Sequence, residues 1–141
     1  MRDIEFRGKN LYGRWIYGYY VKTESLYDKP CHLIYNGDFG YDGYGKGTAE
    51  EIKWETLGQF SNMYGKDGVK LFDGDVVLIP MIVTDSFNRD FEIKMKAVIT
   101  FINGAFYAKH KGQVRTLLSS INHKCSVIGN VYDNPELMED N

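Results

Sequence analysis

Four side chains in two short stretches of the chain could bind a metal ion. Cys31 directly precedes His32, and His123 lies two residues before Cys125. Two thiolates and two imidazoles form a ligand set that suits zinc. However, adjacent residues of a strand point to opposite faces, and structural zinc sites usually carry ligands two to four residues apart. We therefore expect no metal site, with buried or neutral cysteines and surface histidines instead.

A second set of candidates consists of carboxylates. Asp73 and Asp75 flank Gly74, and Glu55 lies upstream of them. Such a group could bind magnesium or act as an acid and base pair if it were held a few ångströms apart in a cleft. In the structural alternative, Asp73 accepts hydrogen bonds from turn amides and Gly74 supplies the backbone conformation that the turn needs. We expect the structural role.

Motifs for nucleophilic catalysis and for phosphate binding are absent from the sequence. There is no Gly-x-Ser-x-Gly element, neither cysteine lies in a known active-site signature, and no Gly-x-x-x-x-Gly-Lys-Ser/Thr loop occurs. The run Gly43–Gly47 resembles a phosphate loop only superficially. We therefore expect that the protein is not an enzyme and needs no cofactor. An enzyme with an unrecognised site ranks behind two other hypotheses, a role in protein contacts and nucleic-acid binding.

Basic side chains cluster late in the chain, where the stretch from Ile93 to Ser126 contains no Asp or Glu. They are Lys94, Lys96, Lys109, Lys111, Arg115 and Lys124. Together with Tyr107 as a stacking residue, they could bind a nucleic acid as small β barrels do. Alternatively, outward lysines keep a sheet soluble and protect its edges.

Charge and cysteine content limit the class of protein. A net charge of −2 gives no overall attraction to nucleic acid or to an anionic membrane. Two cysteines are too few for a disulfide framework, which favours a reducing compartment. The N-terminus is charged from Arg2 onwards, and the longest apolar run, Val76 to Val83, is far shorter than a membrane span of about 20 residues. We expect a cytoplasmic protein without membrane contact.

The elements that must position these residues are predicted to be strands. With 11 Tyr, 8 Phe and 15 Gly, the composition favours pleated surfaces joined by tight turns. A first hairpin is expected from Ile4–Phe6 and Trp15–Val21, with Arg7–Asn10 as the turn. A short strand follows at His32–Tyr35, and Thr48–Leu57 is expected to be extended.

The segment Gly37–Gly47 is predicted to be a loop that contains five glycines. Its aromatic residues, Phe39, Tyr41 and Tyr44, are hard to place in a core. Because aromatic side chains are enriched at interfaces, we expect this loop to be a surface for a partner protein or for self-contact.

The later part of the chain shows the clearest strand signals. Turns are expected at Asp67-Gly68 and Asp73-Gly74, and an apolar strand from Val76 should end near Pro80. Apolar and polar residues alternate from Glu92 to Phe101, as in a half-buried antiparallel strand. Asn103-Gly104 then predicts a tight hairpin into Phe106–His110.

The final segment is predicted to contain one more strand. Ser126–Tyr132 favours a strand, Pro135 suits the first position of a helical turn, and Val114–Leu118 is ambiguous. Many short strands with frequent turns indicate a barrel or a sandwich with little helix.

Five stretches form a distinctive series along the chain: the FRGK run at Phe6–Lys9, RWIYGY at Arg14–Tyr19, ETLGQF at Glu55–Phe60, LFDGDVV at Leu71–Val77, and VIGNVYDNPEL at Val127–Leu137. In this order and spacing they resemble the YopX family of phage and prophage proteins. Together they extend over nearly the whole chain.

The resemblance implies a mainly β domain over residues 1–141, with an N-terminal β extension in 1–55 and an SH3-like barrel in 56–138. It also implies a tendency to self-associate and no established activity. We therefore expect a phage or prophage accessory protein that works in the host cytoplasm through protein contacts. Its partners are then a second copy and a host or phage protein, and a nucleic-acid-binding barrel is the alternative.

Overall fold

The computed structural model describes residues 3–24, 29–36 and 48–139, and these residues form ten β-strands and no α-helix. The strands are β1 Phe6–Asn10, β2 Trp15–Glu24, β3 Pro30–Asn36, β4 Thr48–Tyr64, β5 Lys70–Phe72, β6 Asp75–Thr84, β7 Asp90–Ile102, β8 Ala105–His110, β9 Arg115–Leu117 and β10 Ser126–Asn130. The expectation of a mainly β protein is confirmed. The chain divides into two units, Met1–Phe60 and Ser61–Asn141.

In the first unit, strands β1 to β4 pair antiparallel in a closed circuit. The sheet order is β1-β2-β3-β4-β5, and β1 also pairs with β4. Strands β1, β2 and β3 therefore have two neighbours each, and β4 has three. Ile34, Ile52 and Phe60 are buried in this unit.

The first hairpin forms as predicted, but its turn was placed too early. Arg7–Asn10 belongs to β1, and the turn lies at residues 11–14. The side chain of Asn10 explains this position, because its Oδ1 accepts hydrogen bonds from the amides of Tyr12 at 3.0 Å and Arg14 at 2.9 Å. An asparagine that binds amides two and four residues ahead ends a strand as effectively as a glycine does.

Strand β4 is longer than the predicted extended segment. It continues past Leu57 to Tyr64, so the turn that was expected to begin at Asn62 begins at Gly65. The amide of Gly65 donates to the carbonyl of Val69 at 2.7 Å, and Gly68 has a φ of 75°. Asn62 adopts a positive φ of 64° within the strand. Asparagine tolerates this conformation better than most residues do, and for that reason it is also common in turns.

In the second unit, five antiparallel strands form a sheet of order β10-β6-β7-β8-β9. One face of this sheet packs against a cluster of buried side chains. They are Leu71, Val77, Ile79, Ala97, Ile99, Phe106, Ala108, Leu118 and Cys125. A single continuous core therefore supports the second unit.

The hairpin at Asn103-Gly104 is confirmed. Both residues have positive φ, 48° and 86°, and Ile102 pairs with Ala105 across the turn. The alternation on β7 is confirmed at Ala97 and Ile99, which are fully buried, whereas Phe101 beside the hairpin is 45% exposed. Farther out along the strand, Ile93 is 38% exposed, because β8 does not extend that far.

Strand β6 does not end near Pro80, as had been expected. It continues to Thr84 and pairs with β7 along its whole length, with Pro80 opposite Lys94. The sheet tolerates this proline because β10 pairs with β6 only as far as Leu78, so that Pro80 lies on an edge.

The remaining segments agree with the sequence. Val114–Leu118 contains the short strand β9, and the predicted strand from Ser126 ends at Asn130. Pro135–Met138 forms a 3-10 turn that begins at the proline. No helix in the described residues is long and apolar enough to cross a membrane.

Candidate functional site

The four side chains considered as metal ligands do not form a metal-binding group among the described residues. Cys31 and His32 are successive residues of β3, opposite Thr23 and Lys22, so their side chains point to opposite faces. Cys125 is 1% exposed in the core of the second unit. Burial raises the pKa of its thiol to about 11, which opposes the thiolate that a metal needs. Across residues 3–24, 29–36 and 48–139, no group of three or more His, Cys, Asp or Glu side chains could hold a metal.

His32 instead belongs to a row of stacked rings in the first unit. Its imidazole lies between Tyr20, at 5.9 Å between ring centroids, and Trp54, at 6.0 Å. The hydroxyl of Tyr20 lies 2.6 Å from Nδ1 of His32. The ring of Phe6 packs against Tyr20 at 5.7 Å. The row thus connects β1, β2, β3 and β4.

The carboxylate pair builds a turn. Asp75 is 3% exposed, and its Oδ2 accepts the amide hydrogen of Phe72 at 2.8 Å. Gly74 has a φ of 97°, as the predicted turn requires. The second aspartate of the pair is therefore a buried acceptor of this turn. Glu55 is exposed on β4 in the other unit.

Four of the six basic candidates lie on one face of the second sheet, and Lys124 lies in a 3-10 turn. Lys94 and Lys96 alternate along β7 with Val98, which pairs with Lys109, and Lys109 pairs in turn with Arg115. Residues that pair directly share a face, and this face is opposite to the one that carries the buried Ala97 and Ile99. The remaining candidate, Lys111, lies beyond β8 in a 3-10 turn.

This basic face is partly used by the protein itself. The ammonium of Lys96 donates to the carbonyl oxygen of Leu137 at 2.7 Å, and the guanidinium of Arg115 lies 4.8 Å from the ring centre of Tyr107. Tyr107 therefore already has a cation on its ring. Glu92 is two residues from Lys94 on the same strand and shares its face.

Phe39, Tyr41 and Tyr44, the predicted interface loop, lie outside the described residues. The described part of the first unit contains an apolar groove with a volume of about 410 Å³. It is lined by Tyr19, Val21, Leu33, Tyr35 and Ala49. Tyr19 is 59% exposed on the outer face of β2. The alternation of Tyr17, Tyr19 and Val21 was the sequence signal for this face.

A further surface was missed by the sequence analysis. The outer parts of β6 and β7, residues 79–84 and 90–96, form a two-stranded extension that we call the hairpin arm. Among the described residues, no third strand pairs with either side of it. Its apolar side chains are largely exposed, at 41% for Met81, 67% for Ile82, 75% for Phe87, 48% for Phe91 and 38% for Ile93.

The tip of the hairpin arm is held by Asp85. Its Oδ1 accepts the amides of Phe87 at 2.8 Å and Arg89 at 2.9 Å, and its Oδ2 forms an ion pair with the Arg89 side chain at 2.8 Å. The hydrogen bond from the Arg89 backbone is the main cause that lowers the pKa of Asp85. The arm thus has a structured turn although its flanks are exposed.

Comparison with known proteins decides the family. The family model described as YopX protein matches residues 5–139. This chain belongs to the YopX family. The crystal structure of protein EF1440 from Enterococcus faecalis is similar to it, with a TM-score of 0.58 and 16% sequence identity over 99% of this chain and 100% of that chain. No curated protein matches the sequence.

Of the five stretches that resemble the YopX family, the last two build turns, whereas the first three lie mainly in strands β1, β2 and β4. In the last of them, Asn130 accepts the amides of Tyr132 at 3.0 Å and Asp133 at 2.9 Å through its side chain. A Cβ atom on Gly129 would lie 2.5 Å from Oδ1 of Asn134. These residue types are therefore explained by backbone geometry, as is the buried Asp75 in the middle block.

Proposed function

We propose that this YopX-family protein is a phage or prophage accessory module that self-associates, acts through protein contacts in the host cytoplasm, and catalyses no reaction. The observation that carries this proposal is the hairpin arm, with exposed apolar side chains and no strand partner on either side among the described residues. An open strand edge is a template for pairing with another chain, and exposed apolar patches mark interaction sites.

The energetics of a hairpin support an assembled state. Two strands alone are at best marginally stable in water, and they gain stability when a third strand or an apolar partner covers them. The apolar groove of the first unit offers a second surface for a host or phage protein, because aromatic side chains are enriched in interface cores.

The test combines light scattering over a concentration series with affinity capture from infected cells. In a shortened variant, Ile82–Glu92 is replaced by Asn-Gly, which joins the paired residues Met81 and Ile93 by a two-residue turn. We expect a defined assembly for the native chain and a smaller species for the shortened variant. The control is Tyr12→Ser, which removes an aromatic side chain that is 96% exposed in another turn. If the native chain stays monomeric at every concentration, the proposal of self-association is wrong.

We also propose that the second unit closes into an SH3-like barrel. Ile79 and Pro80 of β6 and Thr116 of β9 line one groove of about 350 Å³, although three strand positions separate β6 from β9 in the sheet order. Such an approach of distant strands is what a strongly curved sheet requires. Amide exchange that is slow on both β9 and β10 would support closure, whereas fast exchange on both would oppose it.

Nucleic-acid binding is the second candidate, and the shared face of Lys94, Lys96, Lys109 and Arg115 favours it. Labelled single- and double-stranded DNA and RNA would be titrated at low and moderate salt. Binding that weakens as salt rises and is lost in Lys109→Glu with Arg115→Glu supports this function. Lys22→Glu with Lys53→Glu is the control, because these lysines lie in the first unit. A lack of binding at low salt excludes it.

A further inference from the structure

We propose that two copies of the chain pair through the outer edge of β7, antiparallel, about a two-fold axis that passes beside Ile93. This inference rests on the proposed self-association and specifies its interface. The new contact would join residues 90–96 of one copy to residues 90–96 of the second copy, so that two hairpin arms form one four-stranded sheet.

Over residues 90–96, no strand among the described residues pairs with this edge of β7. The amide of Asp85 donates to the carbonyl of Arg89 at 3.0 Å, which makes these two residues a hydrogen-bonded pair at the tip. Such pairs alternate along an antiparallel ladder. Phe91, Ile93 and Met95 therefore direct their backbone groups towards β6. The residues that direct them to the open edge are Asp90, Glu92, Lys94 and Lys96.

The charges on this edge complement one another in a single register. If Ile93 faces Ile93 of the second copy, then Glu92 faces Lys94 and Asp90 faces Lys96 across the axis. The two-fold symmetry repeats each of these contacts, which gives four pairs of opposite charge. Opposite charges placed directly across two strands stabilise the pairing, and like charges destabilise it.

Other registers are unfavourable. A shift by two residues in one direction places Glu92 opposite Glu92, and in the other direction it places Lys94 opposite Lys94. A shift by one residue would set outward-facing amides against inward-facing ones and move apolar side chains opposite charged ones. The sequence of β7 thus specifies where two copies would align.

The apolar face of the hairpin arm gains cover in the same register. Phe91, 48% exposed, faces Met95 of the second copy, and the two Ile93 side chains meet at the axis. These are non-hydrogen-bonded pairs, in which side chains approach most closely. Met81 and Val83 lie beside Ile93 and Phe91 on the same face, and they extend the apolar strip.

The opposite edge of the hairpin arm is less suited to this contact. Pro80 faces Lys94, which belongs to the non-hydrogen-bonded set, so the nitrogen of Pro80 points away from β7. A proline nitrogen carries no hydrogen to donate. The ladder on the β6 side would therefore lack a bond that the β7 side can form.

Charge reversal tests the register. Glu92→Lys alone and Lys94→Glu alone each create like-charge pairs and should weaken dimerisation about tenfold. An equimolar mixture of the two single variants restores opposite charges at both positions, so it should form heterodimers at least as well as the native chain forms dimers. The measurement is sedimentation velocity at low salt, with circular dichroism to establish that each variant is folded.

A cross-link tests the position of the axis. In a Cys31→Ser background, Ile93→Cys places two thiols across a pair whose Cα atoms lie about 4.5 Å apart, within the range that a disulfide spans. Mild oxidation should convert most of this variant to a covalent dimer. The control is Ile82→Cys, a more exposed position on the other strand of the arm, which should cross-link slowly.

The outcomes separate this inference from the broader proposal. If the native chain assembles but neither single charge reversal weakens the assembly, and Ile93→Cys cross-links no faster than Ile82→Cys, self-association stands and the β7 pairing is wrong. If the native chain is a monomer at all concentrations, both are wrong. If the mixture recovers dimers that neither single variant forms, the register is established.

Discussion

The hydroxyl of Tyr20 lies 2.6 Å from Nδ1 of His32, and their rings stack at an angle of 6°. Trp54 stacks on the imidazole from a third strand. Because Nδ1 of His32 is engaged by a phenol, this histidine is a packing residue of the first unit, and the sheet around it is organised by side chains as well as by backbone pairing.

Tyr20→Phe should lower the free energy of unfolding of the first unit by about 1 kcal/mol, because it removes this hydrogen bond and keeps the ring. Trp15 and Trp54 are the two tryptophans of the chain, and both belong to the first unit, so urea unfolding followed by tryptophan fluorescence measures it. Tyr19→Phe, on the exposed outer face of β2, is the control. An equal loss in both variants would contradict a specific role for the Tyr20 hydroxyl.

Asp75→Ala should destabilise the second unit by about 2–3 kcal/mol, because it leaves the amide of Phe72 without its charged acceptor in a buried turn. Asp75→Asn keeps an acceptor oxygen and should cost less. Urea unfolding followed by far-ultraviolet circular dichroism gives both values. Asp67→Ala, in an exposed turn, serves as the control, and a loss of similar size there would weaken this account.

The two cysteines should differ in reactivity. Cys31 is half-buried, whereas Cys125 lies in the core with a pKa raised to about 11 by burial. A thiol reagent at pH 8 should therefore label Cys31 quickly and Cys125 only after urea is added, because the thiolate is the reactive form. Rapid labelling of both in the native protein would show that the core around Cys125 opens easily.

The raised pKa of Cys125 also makes its contribution to stability depend on pH. In the unfolded chain the thiol loses its proton near pH 9, and in the folded protein only near 11. The contribution of Cys125 to stability is therefore complete below pH 9 and is lost as the pH rises towards 11, by up to about 2–3 kcal/mol. This contribution is measured by urea unfolding of the native chain and of Cys125→Ala at pH 8 and pH 10.5. The variant should lose less stability between these two pH values than the native chain does.

Gly18→Ala should be the most damaging glycine change in the first unit. Gly18 has a φ of 154°, and a Cβ atom there would lie 2.1 Å from the carbonyl oxygen of Tyr35. Such a contact forces β2 away from β3, and we expect a loss of more than about 3 kcal/mol, measured by tryptophan fluorescence in urea. Gly13→Ala meets no atom within 4 Å and should cost only about 1 kcal/mol for its positive φ.

The sequence predicted best where a local signal and a tertiary contact agree. The turn at Asn103-Gly104 and the alternation at Ala97 and Ile99 are both local and both supported by the core, and they were placed correctly. The turn at Arg7–Asn10 was wrong because glycine and asparagine suggested a reversal, whereas the reversal is set by the Asn10 side chain acting on the residues that follow it.

The hairpin arm could not be predicted for a different reason. Pro80 is a local signal for the end of a strand, but its effect depends on which side of β6 has a neighbour. The points at which β8 and β10 stop pairing with β7 and β6 depend on segments elsewhere in the sequence. Phe91 and Ile93 are exposed because these two strands stop short of the tip, whereas their apolar character alone had suggested a buried position.

Because of Pro80, the two edges of the hairpin arm differ in their capacity to pair with a further strand. A fibril needs every chain to accept a neighbour on both sides, and a strand whose outer side lacks a donor interrupts such a stack after one addition. Substitution of this proline by a residue with an amide hydrogen would remove that barrier. We therefore expect the residue that obscured the arm in the sequence to oppose open-ended polymerisation.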